Sequence, residues 1–186
     1  MDICSCWGIS EEGGPLSVRQ ALDMGYKFGF TGGTSNRCAE PGSPTWGGIT
    51  GVFAETLERK SIFNSLIKRR AFATSGPRMI LNFNVNDAIM GSELALSSSE
   101  KPYITGRAIT TEPIEKMEVK RSGQLVFAVS GNGSNDLRMD WTEEDELRDL
   151  TADRPLINEK NAYYYLRVTA VNKSYGWASP VWVVEG

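Results

Sequence analysis

Tyr26-Lys27-Phe28-Gly29-Phe30-Thr31-Gly32-Gly33-Thr34-Ser35-Asn36-Arg37-Cys38 is the stretch on which the reading of the fold turns. It reads as a strand over Phe28–Thr31 that runs into a glycine turn. In parallel α/β proteins the carboxyl ends of such strands form the rim where ligands bind. Ser35, Asn36 and Arg37 are therefore expected at a rim. None is a standard catalytic group, and the chain contains no histidine.

On the N-terminal side, Met1–Cys6 reads as a short strand and Gly8–Pro15 as a loop. Ser17-Val18-Arg19-Gln20 fits a capping box that opens a helix, with Val18, Ala21 and Leu22 as its apolar stripe. Gly25 suits the residue just past its end, because glycine takes left-handed geometry cheaply. On the C-terminal side, Pro41-Gly42, Pro44 and Gly47-Gly48 punctuate a loop. Ile49–Ala54 reads as a buried strand. Thr56 is the expected N-cap of a second helix whose inner face is Ile62, Phe63, Leu66 and Ile67. Ser75-Gly76-Pro77 ends this part.

Beyond Pro77 the pattern changes. Met79–Val85 alternates as a half-buried strand does, and Tyr103–Thr110, Ile114–Arg121, Gln124–Val129, Leu137–Trp141, Ala162–Val171 and Trp177–Val184 read similarly. Thr142–Arg154 is strongly acidic and reads as a solvated loop or helical turn. The charge shifts at the same point. Residues 1–78 hold nine Lys/Arg against seven Asp/Glu, and residues 79–186 hold eleven against sixteen. The expected organisation is an α/β unit over 1–78 followed by an antiparallel β-sandwich over 79–186.

The net charge of −3 argues against a nucleic-acid partner. No apolar run reaches the ~18 residues of a membrane helix, and the N-terminus has no basic and apolar pattern of a signal peptide. Three cysteines exclude a complete disulfide framework. Without histidine, Ser/His and Cys/His catalysis are ruled out. Ser75-Gly76-Pro77 lacks the frame of a nucleophile elbow. Glu143-Glu144-Asp145-Glu146 lacks the ligand spacing and glycine of a calcium loop. Cys4, Cys6 and Cys38 leave a three-thiolate metal site open as a weaker reading, against buried free thiols.

Four stretches together resemble a known family: Ser5–Glu11, Gly25–Arg37 with Pro41-Gly42, Arg69–Arg78, and the tail Tyr163–Val168 with Trp177–Trp182. They resemble the C-terminal part of a large bacterial family of unknown function with a PHP-type (polymerase and histidinol phosphatase) core. That resemblance implies a distorted β/α barrel binding two or three divalent metal ions, most often for phosphoester hydrolysis. It makes residues 1–78 a partial PHP-type barrel layer, giving an α+β fold with the sandwich behind it. The positions matching the family's metal ligands are Trp7, Ser35 and Arg37. Tryptophan and arginine offer no lone pair, and a serine hydroxyl is a poor substitute for carboxylate, so no metal and no cofactor is expected in this chain.

Trp7 is expected to pack into the old site and Arg37 to be solvated, or else to hold a phosphate or carboxylate where a metal's charge stood. Lys68-Arg69-Arg70 with Arg78 is a basic cluster. It serves helix-end charge, or joins Asn36 and Arg37 in binding an anion through Arg70 and Arg78. The functional expectation is a truncated or degenerate portion of a PHP-like phosphoesterase, inactive alone. The alternative is a non-catalytic binding or interaction module. The implied partners are a missing barrel half or another copy of the chain.

Overall fold

The structure, a computed structural model, describes residues 1–35 and 47–186. Asn36, Arg37, Cys38 and the Pro41–Pro44 punctuation lie outside the described residues. In chain order the elements begin with β1 (Asp2–Ser5), β2 (Gly8–Ile9), α1 (Val18–Met24), β3 (Thr31–Gly32), β4 (Ile49–Val52), α2 (Arg59–Ile67) and β5 (Ala71–Thr74). There follow β6 (Met79–Val85), β7 (Ala88–Ile89), β8 (Glu93–Leu96), β9 (Tyr103–Thr110), β10 (Ile114–Arg121), β11 (Gln124–Ser130) and β12 (Asp136–Thr142). The chain closes with α3 (Leu147–Leu150), β13 (Ala152–Arg154), β14 (Glu159–Ala170), β15 (Tyr175–Ala178) and β16 (Val181–Glu185).

Among the described residues these strands form three sheets. A four-stranded antiparallel sheet runs β12-β9-β6-β7. A nine-stranded sheet runs β11-β10-β14-β15-β5-β4, with β13, β16 and β8 joined to it around β14. A small sheet runs β2-β1-β3, with β1 and β3 parallel. The two larger sheets face each other across a core built by strand alternation. Met79, Leu81, Phe83 and Val85 of β6 point in, as do Tyr164, Leu166 and Val168 of β14.

The other face of the nine-stranded sheet carries Tyr163, Tyr165, Trp177 and Trp182. Ile3, Val18, Leu22 and Phe30 of the N-terminal segment cover it in a second core. Phe30 meets Tyr165 edge to face, with ring centroids 5.4 Å apart at 84°.

The expected β/α barrel layer is not formed. β4 and β5 pair antiparallel, β5 pairs antiparallel with β15, and both extend the nine-stranded sheet. Only the two-residue β3 runs parallel to β1, and no helix packs as a crossover layer upon a parallel sheet among the described residues. The reason is visible at Phe30. Its backbone N–H goes to Ser179 Oγ at 2.8 Å, so no strand continues the sheet on that side, while on the other side Met1 alone brackets Phe30, donating to Gly29 O at 3.0 Å and accepting from Thr31 N at 3.0 Å, and β3 starts at Thr31. Nor are the sheets behind it purely antiparallel, since β8 runs parallel to β16.

Local signals fared better at α1. Ser17 Oγ accepts from Gln20 N at 3.2 Å, and Gly25 ends the helix at φ 105°. The Gln20 amide reaches back to Leu16 N, one residue before the one a capping box uses. At α2 the cap is Glu58 and not Thr56, whose N–H goes to Ser61 Oγ. The acidic segment forms a helical turn, α3, one of its two readings, but it is not solvated throughout: Glu143 is buried, with Arg121 Nη1 at 2.7 Å and Tyr164 Oη at 3.1 Å.

Candidate functional site

The rim predicted from sequence lies where β1 and β3 end. Gly33 N donates to Cys4 O at 3.1 Å, Cys6 N to Thr34 O at 3.3 Å and Gly48 N to Gly33 O at 3.0 Å. These bonds bring Trp7 and Ser35 to the same end of the small sheet. Trp7 occupies the tip of the β1–β2 hairpin and is 80% exposed, so it neither packs nor fills a pocket. Ser35 is exposed with φ 46°, a left-handed conformation that is uncommon for serine. Arg37 and Asn36 lie outside the described residues.

A cleft of about 200 Å³ opens here between Cys4, Cys6, Gly8, Gly47 and Ser75. Cys4 is its buried floor, and the thiol donates to Thr74 O at 3.2 Å. Burial, then the neighbouring Asp2 carboxylate, pushes the Cys4 thiol up to about 12. It is therefore protonated at neutral pH and is a poor nucleophile or metal ligand. Among the described residues no group of three or more Cys, Asp or Glu is placed to hold a metal ion.

The basic cluster is divided. Arg69 Nε donates to Gly91 O at 2.9 Å, Nη2 reaches Glu93 at 2.8 Å, and the guanidinium lies 5.1 Å over the Trp182 ring. Arg70 and Lys68 face Lys60 and Asn64 across a separate cleft of about 300 Å³ beside α2. Arg78 is exposed at the far end of β5 from Arg70, so these two are not brought together.

Two features escaped the sequence reading. The first is the outward face of α2. Phe63, Leu66 and Ile67, at i, i+3 and i+4, were expected to point inward, yet they are 61%, 41% and 61% exposed. Leu57, just before the helix, is 96% exposed. The helix flanks β4, the last strand of the nine-stranded sheet. The second is an ionic network on the N-terminal side of that sheet. Arg167 Nε donates to Glu118 at 3.0 Å and Nη1 to Glu11 at 3.2 Å, while Tyr165 Oη donates to the other Glu11 oxygen at 2.9 Å. Burial opposes the Arg167 charge, but Glu118 and Glu11 hold its pKa above the ordinary arginine value. Glu11 and Arg167 are 156 residues apart, and nothing in either local sequence announces the pair.

Among the described residues no helix is long and apolar enough to cross a membrane. The chain is similar to uncharacterized proteins of three chlamydiae. It is 31% identical to one of Chlamydia muridarum over 219 residues, and 29% identical to one of Chlamydia trachomatis over 216 and one of Chlamydia pneumoniae over 212. Each alignment covers 98% of this chain and 34% of the relative, so the chain spans about a third of the length of these relatives. No solved structure matches it. Residues 34–137 match the family described as "Protein of unknown function (DUF3604)", and the chain belongs to that family.

Proposed function

We propose that the chain is a non-catalytic interaction module, which docks through α2 onto the part of a longer family protein that this chain does not span. The observation that carries the reading is the apolar face of Phe63, Leu66 and Ile67, with Leu57 beside it, left to solvent at the last strand of the large sheet. Apolar side chains clustered in this way on a surface mark contact sites. The length of the relatives supplies the occupant, since about two thirds of each lies outside the matched part. The resemblance to PHP-type phosphoesterases bears on that remainder. Here Trp7 and Ser35 stand where the resemblance calls for metal ligands, and the catalytic work is assigned to the rest of the longer protein.

The test is hydroxyl-radical footprinting of the whole C. trachomatis relative against its matched third expressed alone. The segment aligned with α2 should be protected in the whole protein and oxidised in the isolated third. Equal labelling refutes the docking. If instead this chain dimerises and Ile67→Glu returns it to a monomer, the occupant is a second copy and the proposal fails in that form. In parallel, this chain alone should not hydrolyse phosphoesters above background with manganese, zinc or iron. Metal-dependent turnover that survives repurification and is lost in Ser35→Ala overturns the non-catalytic assignment.

A further inference from the structure

β4 is the last strand of the nine-stranded sheet, and one of its edges is paired among the described residues. The ladder fixes which groups are left over. Ser179 N donates to Ala71 O and Ser75 N to Tyr175 O, so on β5 the alternate residues Ala71 and Ala73 turn their backbone groups to β15. Phe72 and Thr74 therefore serve β4, through Gly51 and Ile49. The ladder runs on with Phe53 N donating to Arg70 O at 2.9 Å. The N–H and C=O groups of Thr50 and Val52 point the other way, without a backbone partner among the described residues.

An edge of this kind invites a further strand, and proteins blunt such edges with charges, bulges or proline. Other ends of the large sheets carry these devices. β12, at the end of the four-stranded sheet, exposes Asp136, Arg138 and Asp140. β11, at the far end of the nine-stranded sheet, pairs with a register shift at Val119 and Lys120. β4 reads Ile49-Thr50-Gly51-Val52, with no charge, no proline and a regular register. Beside it lies a groove of about 380 Å³, lined by Thr50, Val52 and Ala54 from the strand and by Leu57 and Ile62 from the α2 side, with Glu55 as the charged residue of the lining. A strand added to β4 places every second side chain on the face that Thr50 and Val52 share, toward this groove.

We infer that the part of the longer family protein outside this chain adds a strand to the β4 edge, bonded to the backbone of Thr50 and Val52, with an aliphatic side chain seated against Val52, Leu57 and Ile62. The inference rests on the docking reading and names the element that docks. Continuity supplies the occupant: Leu57 belongs both to this groove and to the apolar surface beside α2, and about two thirds of each relative lies outside the matched part. In strand addition the main-chain hydrogen bonds hold the segment and the side-chain groove selects it.

The experiment is residue-resolved amide hydrogen exchange on this chain and on the whole C. trachomatis relative, set beside the radical footprint of α2. The Thr50 and Val52 amides of this chain should exchange as open ones. The amides aligned with them in the whole relative should exchange about a hundredfold more slowly, at every protein concentration. Val52→Pro should leave the melting temperature of this chain unchanged, because that N–H serves no ladder, and the matching substitution in the relative should abolish the slowing at the position aligned with Thr50. Slow Thr50 and Val52 amides in this chain alone overturn the strand addition, as do amides in the relative as fast as those of this chain. Slowing that grows with concentration assigns the edge to a second copy and overturns it equally. The two readings separate cleanly. A protected α2 beside fast β4 amides keeps the docking and removes the strand, while slow β4 amides beside a fully labelled α2 keep the strand and refute docking through the helix.

Discussion

Phe30→Ala tests whether the N-terminal layer is part of one cooperative structure. Phe30 is fully buried among Ile3, Leu22, Tyr165, Trp177 and Trp182, and its ring meets Tyr165 at 5.4 Å. Truncating such a phenylalanine removes its transfer free energy and leaves a cavity, together about 4 kcal/mol. The edge-to-face contact, about 1 kcal/mol, is contained in that figure. For a chain of 186 residues the loss corresponds to a melting temperature lower by about 8–16 °C. Urea melts followed by far-UV circular dichroism and by tryptophan fluorescence should move together, because Trp177 and Trp182 lie in the same buried cluster. A loss under about 1 kcal/mol would refute the reasoning. So would an early transition confined to fluorescence, with circular dichroism melting as in the wild type, since the layer would then be an independent flap.

Two further substitutions probe the large sheet. Burial alone would raise the Glu118 carboxyl, but Arg167 and then Lys116 hold it below the ordinary 4.5. Its contribution is thus present above pH 4.5 and lost as the pH falls through its lowered value. Glu118→Gln should cost about 1–3 kcal/mol at pH 7 and flatten the acid limb of the stability curve; an unchanged limb would remove Glu118 from the account. Gly51 sits opposite Phe72 in the β4–β5 ladder, and a Cβ there would lie 2.1 Å from the buried ring. Gly51→Ala should destabilise by about 1–3 kcal/mol, and a variant as stable as wild type in chemical denaturation would show that the ring moves freely.

How much was legible follows the range of the interaction. The caps of α1 lie within nine residues of sequence, and Ser17 and Gly25 were found there. The alternation of Met79–Val85 names its own inward residues. Partners were not legible. The strand at Ile49–Val52 looks the same whether its neighbour is parallel or antiparallel, and the choice was made by β5 and β15. The stripe on α2 told which residues share a face but not what covers it. In the acidic run, four neighbouring carboxylates looked equally solvated, because Arg121 and Tyr164, which bury Glu143, lie far along the chain.

Tyr163-Tyr164-Tyr165 on β14 shows both sides of this at once. A run of buried residues without polar alternation implies a strand covered on both faces, and all three tyrosines are buried. That much demanded a second layer, and the N-terminal segment is the one the chain supplies. Yet three phenol hydroxyls taken from water each need an acceptor. Tyr163 donates to Asp23 at 2.8 Å, Tyr164 to Glu143 at 3.1 Å and Tyr165 to Glu11 at 2.9 Å. Burial, reinforced by these carboxylates, pushes all three phenols well above the ordinary tyrosine value, so they stay protonated donors. Two of the acceptors come from the N-terminal layer and one from the acidic segment after β12. Alternate tyrosines thus tie the strand to opposite sides of its sheet. The sequence could call for such acceptors, but only the fold could say which carboxylates answer.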